Sequence, residues 1–206
     1  MSTNLIRAIR NFDHSALIQN LTYSSLNQPN SEKRSPLMIS LMVKNEKAFK
    51  TLIKYNPIVY NDIYNNSVLH YAILNSSDIF SYMLNRYGSL IETVNLNLEQ
   101  PIHSLVRNFT NKNQIVNLDI LLQAYPNVNI HYFNIYDHNS LDISYMYENL
   151  QVFGKLLSYG GNVNIVDSNG KKLSQRHNFT NSLTPLIKVF EQDIIYRDSS
   201  SDEFIL

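Results

Sequence analysis

The feature that most constrains this chain is a unit that recurs about every 33 residues. Each copy runs through a short polar loop, a four-residue helix-start motif, an apolar helix, a polar break and a second apolar helix. The helix-start motif appears as Ser35-Pro36-Leu37-Met38, Ser67-Val68-Leu69-His70, Gln100-Pro101-Ile102-His103, Asn139-Ser140-Leu141-Asp142 and, more weakly, Lys171-Lys172-Leu173-Ser174. A period of this length predicts helix pairs that stack, each on its neighbours.

The residue types at both ends of the unit fit this prediction. A Ser in the first motif position can accept hydrogen bonds from the free N–H groups of a helix start. Pro suits the next position, because a backbone N–H there would have no acceptor within the helix. His70 and His103 hold the fourth position, from which an imidazole can reach the backbone of the neighbouring loop. After the second helices, Asn56, Gly88 and Gly160 are predicted to adopt the left-handed conformation that ends a helix.

Three of these segments resemble the ankyrin-repeat family. Ser67-Val68-Leu69-His70-Tyr71-Ala72 is similar to the family's Thr-Pro-Leu-His-x-Ala, and residues 156–164 are similar to its Leu-Leu-x-x-Gly-Ala-Asp-Val-Asn. Asp167-Ser168-Asn169-Gly170 resembles the family's loop Asp-x-x-Gly. In the earlier loops that Gly is replaced by Lys33, Asn65, Leu98 and Asp137. Because a leucine tolerates the left-handed conformation poorly, we expect the Leu98 loop to be reshaped.

The resemblance implies an all-α, ankyrin-repeat solenoid of about five helix-pair repeats with N- and C-terminal caps. We predict a single ankyrin-repeat domain over residues 1–196, followed by a mobile acidic tail over 197–206. Within the domain the predicted segments are an N-terminal cap at 1–29, repeats at 30–61, 62–94, 95–133 and 134–166, and a degenerate C-terminal repeat at 167–196.

Composition and missing motifs exclude several function classes. Lys and Arg together number 17, as do Asp and Glu, so no net charge attracts nucleic acid. There is no Cys, and only five Gly are present, without any phosphate-binding loop or catalytic motif. We therefore expect no enzyme activity and no cofactor. No stretch reaches the roughly 20 apolar residues that cross a bilayer, and the charged N-terminus does not read as a secretory signal, so we expect an intracellular, cytoplasmic protein.

The histidines are the only material for a metal or acid–base site. His131 and His138 flank one loop, where they could hold a metal ion together, but the sequence supplies no third ligand nearby. We expect them to be solvated loop residues, and we predict no metal site.

Partners of ankyrin-like proteins usually meet the loop tips and the exposed side of each first helix, so the resemblance implies a protein partner on that surface. Tyr and Arg are enriched in the cores of such interfaces. Transferred to this chain, the predicted partner-binding residues are Tyr64, Tyr71, Arg107, Tyr132, Phe133, Tyr136 and Tyr147. The loop over residues 132–136 is the strongest candidate, and we expect a monomer.

The bias toward Asn, Ile, Lys and Tyr resembles ankyrin proteins of large DNA viruses and intracellular bacteria. That resemblance implies a non-catalytic protein that blocks a host signalling factor, as inhibitors of NF-kappa-B do, in the host cytoplasm or nucleus. Alternatives are a cellular structural adaptor, a ubiquitin-ligase substrate adaptor, or an enzyme with an unrecognised site. An enzyme would need a deep polar pocket with convergent titratable groups.

Overall fold

The computed structural model describes residues 4–108, 112–176, 183–185 and 187–190, and every regular element within these ranges is helical. The tail predicted over residues 197–206 lies outside the described residues. The helices are α1 Asn4–Arg10, α2 His14–Gln19, α3 Tyr23–Asn27, α4 Pro36–Met42, α5 Glu46–Leu52, α6 Val68–Ala72, α7 Ser77–Tyr87, α8 Pro101–Arg107, α9 Lys112–Ala124, α10 Ser140–Met146, α11 Leu150–Ser158 and α12 Leu173–Arg176.

Contacts divide the chain into two compact units, residues 1–128 and 129–206. In the first unit α1 packs on α2, α4 on α5, α6 on α7 and α8 on α9, and the first helices of consecutive pairs also contact one another. In the second unit α10 packs on α11. The predicted all-α fold of repeated helix pairs is confirmed. The single domain over residues 1–196 and its repeat boundaries stay predictions.

The helix-start motif forms the caps that its residue types predict. The Ser35 hydroxyl accepts a hydrogen bond from the Met38 N–H at 3.1 Å. At the next two starts the fourth-position imidazole closes the cap instead, because Nδ1 of His70 and of His103 accepts from the backbone N–H of Ser67 and of Gln100. Each first helix is therefore fixed at its start by the motif itself.

The weakest of the predicted starts is displaced by one residue. The Lys172 N–H donates to the Gln175 side chain at 2.9 Å, the bond that Ser67 makes to His70 at its own start. Helix α12 accordingly begins at Leu173, so the motif starts at Lys172 and not at Lys171. The motif was predicted one residue too early because Leu normally occupies its third place, whereas the buried Leu173 lies in the second.

An Asn or Asp side chain closes the loop before each helix start. Asp62 Oδ1 accepts from the backbone N–H of Tyr64 at 2.9 Å and of Asn66 at 2.8 Å. Its own N–H donates to the Asn66 carbonyl at 3.1 Å. The same pattern recurs at Asn30, Asn95, Asn134 and Asp167. Each loop is therefore a hydrogen-bonded turn of fixed geometry.

The expectation that Leu98 reshapes its loop is wrong. Leu98 adopts φ +54°, and the corresponding residues of the other loops have nearly the same angle, namely Lys33, Asn65, Asp137 and Gly170. Asn95 closes the Leu98 turn with the same bonds that Asp62 makes one loop earlier. The hydrogen bonds of the turn thus hold Leu98 in a left-handed conformation that leucine disfavours by about 1–2 kcal/mol.

The predicted helix ends are left-handed at Asn56, with φ +49°, and at Gly160, with φ +89°. Gly88 is not, because its φ is −56° and it begins a short 3-10 helix, Gly88–Leu90. Gly88 is needed for a different reason. A Cβ added there would lie 1.6 Å from the Tyr125 hydroxyl oxygen, so the glycine makes room for that ring.

Buried asparagines join consecutive repeats of the first unit. Asn45 Nδ2 donates to the Ile9 carbonyl at 2.9 Å, and Asn75 Nδ2 donates to the Leu41 carbonyl at 3.1 Å. Asn117 Nδ2 donates to the Ile73 and Asn75 carbonyls at 2.9 and 2.8 Å. Each amide satisfies a carbonyl of the preceding helix pair, so consecutive pairs are hydrogen-bonded to each other.

Candidate partner-binding surface

Three exposed aliphatic side chains lie on the loop tips of the first unit. Ile63 and Leu96 occupy the same position in consecutive tips and are 43% and 64% exposed, and Leu98 is 41% exposed. Tyr64, a predicted binding residue, stands beside Ile63 and is also exposed. Sequence reasoning missed the three aliphatic residues. These residues could have been recognised from the sequence by their position shortly after Asp62 and Asn95, the residues that close the turns.

Backbone hydrogen bonds fix these tips to one another. The Ile63 N–H donates to the Glu32 carbonyl at 3.0 Å, and the Leu96 N–H donates to the Tyr64 carbonyl at 2.9 Å. We name Ile63, Tyr64, Leu96 and Leu98 the tip row. Because each tip is bonded to the next, the tip row presents an apolar surface with little backbone freedom.

Tyr71 belongs to a charged network below the tip row. Its hydroxyl donates to Asp62 Oδ2 at 2.6 Å and accepts from Arg34 Nε at 3.0 Å. Burial, and then the bond to Asp62, raise the pKa of Tyr71 to about 12. The structure thus brings Tyr64 and Tyr71 together around one cation, since the Arg34 guanidinium lies 5.5 Å from the Tyr64 ring centre and 6.0 Å from that of Tyr71.

Asp62 is ionised at the centre of this network. Its burial alone would raise the pKa of the carboxyl, but hydrogen bonds from the Tyr71 hydroxyl and the Asn66 backbone outweigh that effect and lower the pKa. Arg34 also binds Glu32 at 2.7 Å, so its guanidinium spans two carboxylates. The network holds the tip that carries Tyr64.

Arg107 lies apart from that network, on the first helix of the next repeat. Its two terminal nitrogens bind the two oxygens of Glu99, with Nη1 at 2.8 Å from Oε2. This bidentate geometry fixes the half-buried guanidinium and leaves it positioned beside the loop that contains Leu98.

In the second unit the predicted residues separate into two groups. Tyr136 and Tyr147 are 59% and 57% exposed, as a partner-binding role requires. Tyr132 and Phe133 are half-buried. The Phe133 ring lies 5.2 Å below the guanidinium of Arg176, which forms a buried ion pair with Asp142 at 2.8 Å between Nε and Oδ1. The aromatic run over residues 132–136 therefore contributes to packing as well as to the surface.

The histidines act on the backbone. The buried His70 Nε2 bonds to the Glu99 carbonyl at 2.8 Å, as its motif position predicts, so Nδ1 is the unprotonated acceptor. His131 is not a solvated loop residue, because its Nε2 accepts from the Asn162 N–H at 2.8 Å. Burial lowers the pKa of both imidazoles. Among the residues that the structure describes, no three His, Cys, Asp or Glu side chains cluster to hold a metal ion.

Across the same described ranges, no helix is long and apolar enough to cross a membrane. The exposed residues define two candidate surfaces, namely the tip row in the first unit and Tyr136 with Tyr147 in the second.

The capped helix pairs and their left-handed loop residues define an all-α repeat protein. In comparison with known families, residues 5–95 match the ankyrin repeats, in three copies. Residues 5–95 thus match the family that the helix-start motif resembles, and the match begins within the segment predicted as an N-terminal cap. Ankyrin repeats are protein-binding modules.

Solved structures extend the likeness of fold beyond residue 95. A chain in the complex of a predatory endopeptidase from Bdellovibrio bacteriovorus with an immunity protein has a TM-score of 0.70, covering 93% of this chain and 94% of that chain. The two sequences are 14% identical, so the likeness concerns the fold alone. No curated protein gives a significant match to the sequence.

Proposed function

We propose that this chain binds a protein partner through its loop tips and acts by occupying that partner's surface, without catalysis. The observation that carries the proposal is the tip row. Exposed aliphatic side chains at corresponding positions of consecutive loops are typical of an interaction surface, whereas single exposed apolar residues are common anywhere. In the second unit, the exposed Tyr136 holds the tip position that Tyr64 holds in the first, and Tyr147 is exposed at the end of α10.

The order of the tips supports the same function. Binding costs free energy when loops must be fixed, and here the closing Asp62 and Asn95 and the bonds between tips have already fixed them. The Arg34 and Arg107 ion pairs add polar groups beside the apolar row. An apolar centre with polar neighbours is the usual arrangement of a protein–protein interface.

The proposal that the chain is not an enzyme is supported by how its charged groups are used. Asp62 and Glu99 are each bonded to an arginine, and His70 and His131 are bonded to backbone groups. Catalytic acids and bases need a reacting group within hydrogen-bond reach, and these side chains are directed at the protein itself.

The finer proposal names the partner as a host signalling factor of the NF-kappa-B kind, blocked by a viral or pathogen protein in the host cytoplasm or nucleus. The resemblance in composition supports it. A cellular structural adaptor or a ubiquitin-ligase substrate adaptor would use the same surface. An enzyme is a further class of partner, because the solved structure of similar fold is a complex of an endopeptidase with an immunity protein. We propose that the chain binds as a monomer.

The proposal is tested by quantitative affinity capture from cell lysate with the intact chain and two double variants. Ile63→Ser with Leu96→Ser alters the tip row, and Val116→Ser with Leu150→Ser is the control, because those two residues are exposed on second helices. We expect a partner that the intact chain and the control retain and the tip variant loses. Equal capture by all three proteins would place the surface elsewhere, and the identity of the partner decides among the classes above.

A further inference from the structure

A second candidate site lies in the first unit, away from the tip row. A cleft of about 450 Å³ opens where the chain leaves α7 and where it leaves α9. Its volume lies within the range of ligand pockets, which is roughly 300–1,000 Å³. Ile91, Ala124 and Val128 give it apolar walls, and Ser89, Glu92 and Asn127 are polar groups on its lining.

The cleft depends on Gly88. Tyr125 lines it with its ring against that glycine, where any Cβ would collide with the hydroxyl oxygen. A larger residue at position 88 would force the Tyr125 ring to move. Gly88 therefore maintains the shape of this cleft and does not serve to end a helix.

Three polar side chains of the lining have no partner among the residues that the structure describes. Within the described part of the chain, the side chains of Ser89, Glu92 and Asn127 form no hydrogen bond or ion pair with another residue. Glu92 is the only charged residue of the lining. The C-terminal ends of α7 and α9 meet here as well, and a helix C-terminus carries a partial negative charge.

The charge and the walls together define a ligand. The potential in the cleft favours a cation, and the apolar walls favour an aliphatic stem. A lysine side chain combines the two, because its four-carbon stem packs on apolar surface while its ammonium group stays polar. The ammonium has three N–H donors, and three residues of the lining, Glu92, Ser89 and Asn127, have side chains that can accept a hydrogen bond.

We propose that this cleft binds a lysine side chain of the protein partner. The inference rests on the proposed partner-binding function for the source of the lysine, although the cleft and its chemistry are independent of the tip row. Binding would give the chain a second anchor on the partner, with Glu92 as the residue that determines the preference for a cation.

The test uses the full chain labelled with ¹⁵N and a small probe, N-acetyl-lysine methylamide, in a two-dimensional NMR titration. We expect saturable shifts of the amides of Gly88, Asn127 and Val128. The norleucine analogue, which lacks the ammonium group, should bind at least about tenfold more weakly, the loss of affinity expected when a charge-assisted hydrogen bond is removed. Glu92→Gln should weaken lysine binding by a similar factor, and Glu148→Gln, a change at an exposed glutamate of the second unit, should not.

Three results would overturn the proposal: no saturable shift at the cleft amides, equal binding of the norleucine and lysine analogues, or tighter binding of the arginine analogue. Because the probe does not involve the tip row, a negative titration leaves the capture experiment unaffected. A loss of partner capture in the tip variant would likewise say nothing against the cleft. The two proposals can therefore fail separately.

Discussion

At the scale of single residues, Leu98 is the position where the fold most clearly opposes a side chain. Its backbone is left-handed, and 41% of the residue is exposed, so the leucine gains only part of the burial that would offset the strain. The corresponding loop position is Asn65 one repeat earlier, and Asn tolerates this conformation. A strained apolar residue on a surface is typical of functional positions.

We therefore predict that Leu98→Asn raises the free energy of unfolding by roughly 0.5–1 kcal/mol through relief of the backbone strain. Urea unfolding of the two proteins measures the difference. Leu98→Val is the matched control and should destabilise, because a β-branched residue fits the left-handed region less well than leucine. A lower stability for Leu98→Asn would mean that burial of the leucine outweighs its strain.

His70 leads to a prediction about pH. Burial lowers the pKa of this imidazole, although the charges of Asp62 and Glu99 act in the opposite direction. The unfolded chain takes up a proton at His70 below about pH 6.5, while the folded chain resists it. Stability should consequently fall as the pH drops from 7 toward 5. The pKa of Asp62 is lowered from an already acidic value, so its contribution is lost at lower pH than this window.

The measurement is urea unfolding between pH 8 and 5 for the native chain and for His70→Gln. Gln175 shows that a glutamine can form the same cap. The variant should be less stable at neutral pH, since the bond to the Glu99 carbonyl is lost, but its stability should depend less on pH. His131, whose pKa burial also lowers, accounts for part of the slope that is left. An unchanged slope would show that His70 does not control the pH dependence.

Much of this detail could be predicted from residue types alone. The fourth-position histidines bind backbone because a buried imidazole with one donor and one acceptor fits a cap and a neighbouring carbonyl. His131 could not be predicted, because its acceptor role depends on the Asn162 amide 31 positions later in the chain. The closing residues Asn30, Asp62, Asn95 and Asn134 carried a signal, a fixed distance of five residues before each helix start.

At the scale of elements, α12 and α10 are joined by the buried ion pair of Arg176 and Asp142, whose side chains are 4% and 0% exposed. Arg176 Nε is close enough to Asp142 for an ion pair, but the geometry of this contact is not that of a hydrogen bond. Arg176 Nη1 also has no hydrogen-bond partner among the described residues. The guanidinium depends on that carboxylate and on the Phe133 ring. A charge buried in this way is costly without its partner.

We predict that Asp142→Ala lowers the free energy of unfolding by about 3–5 kcal/mol, because it leaves the Arg176 charge buried and unpaired. Part of this loss is the cap that Asp142 gives to the Asn139 N–H. Adding Arg176→Met should restore a large share of the stability, since the unpaired charge is then removed. Thermal and urea unfolding of both variants measure the coupling. A cost below about 1 kcal/mol for Asp142→Ala would contradict a buried ion pair.

The helix starts were predictable because a cap is local, and three or four residues decide it. The end of α7 was not. Gly88 follows a helix, as a terminating glycine does, but it is present because of the Tyr125 ring, which belongs to the next repeat. A contact between elements overrode the local rule. The prediction of the start near Lys172 failed for a local reason, since two adjacent lysines gave the motif no side chain that accepts a capping hydrogen bond and so marks the register.

At the scale of the whole chain, the repeat period predicted the class of fold, whereas the partner-binding side of each repeat stays a prediction. The period did not predict which tip residues are exposed. Tyr71 and Phe133 have the residue types of an interface, yet Arg34 and Arg176 hold their rings, and no sequence pattern marks those arginines. Ile63 and Leu96 have the residue types of a core, yet the turns that Asp62 and Asn95 close leave them exposed.

The most direct test of the central claim is hydrogen exchange of the chain alone and in complex with the captured partner. If the tips bind the partner, the backbone amides of residues 62–66 and 95–99 should exchange more slowly in the complex, together with those of residues 134–138. Amides of α7, α9 and α11 should change little beyond the cleft after α7. Protection confined to the second helices, or no protection of the tip segments, would contradict binding through the loop tips.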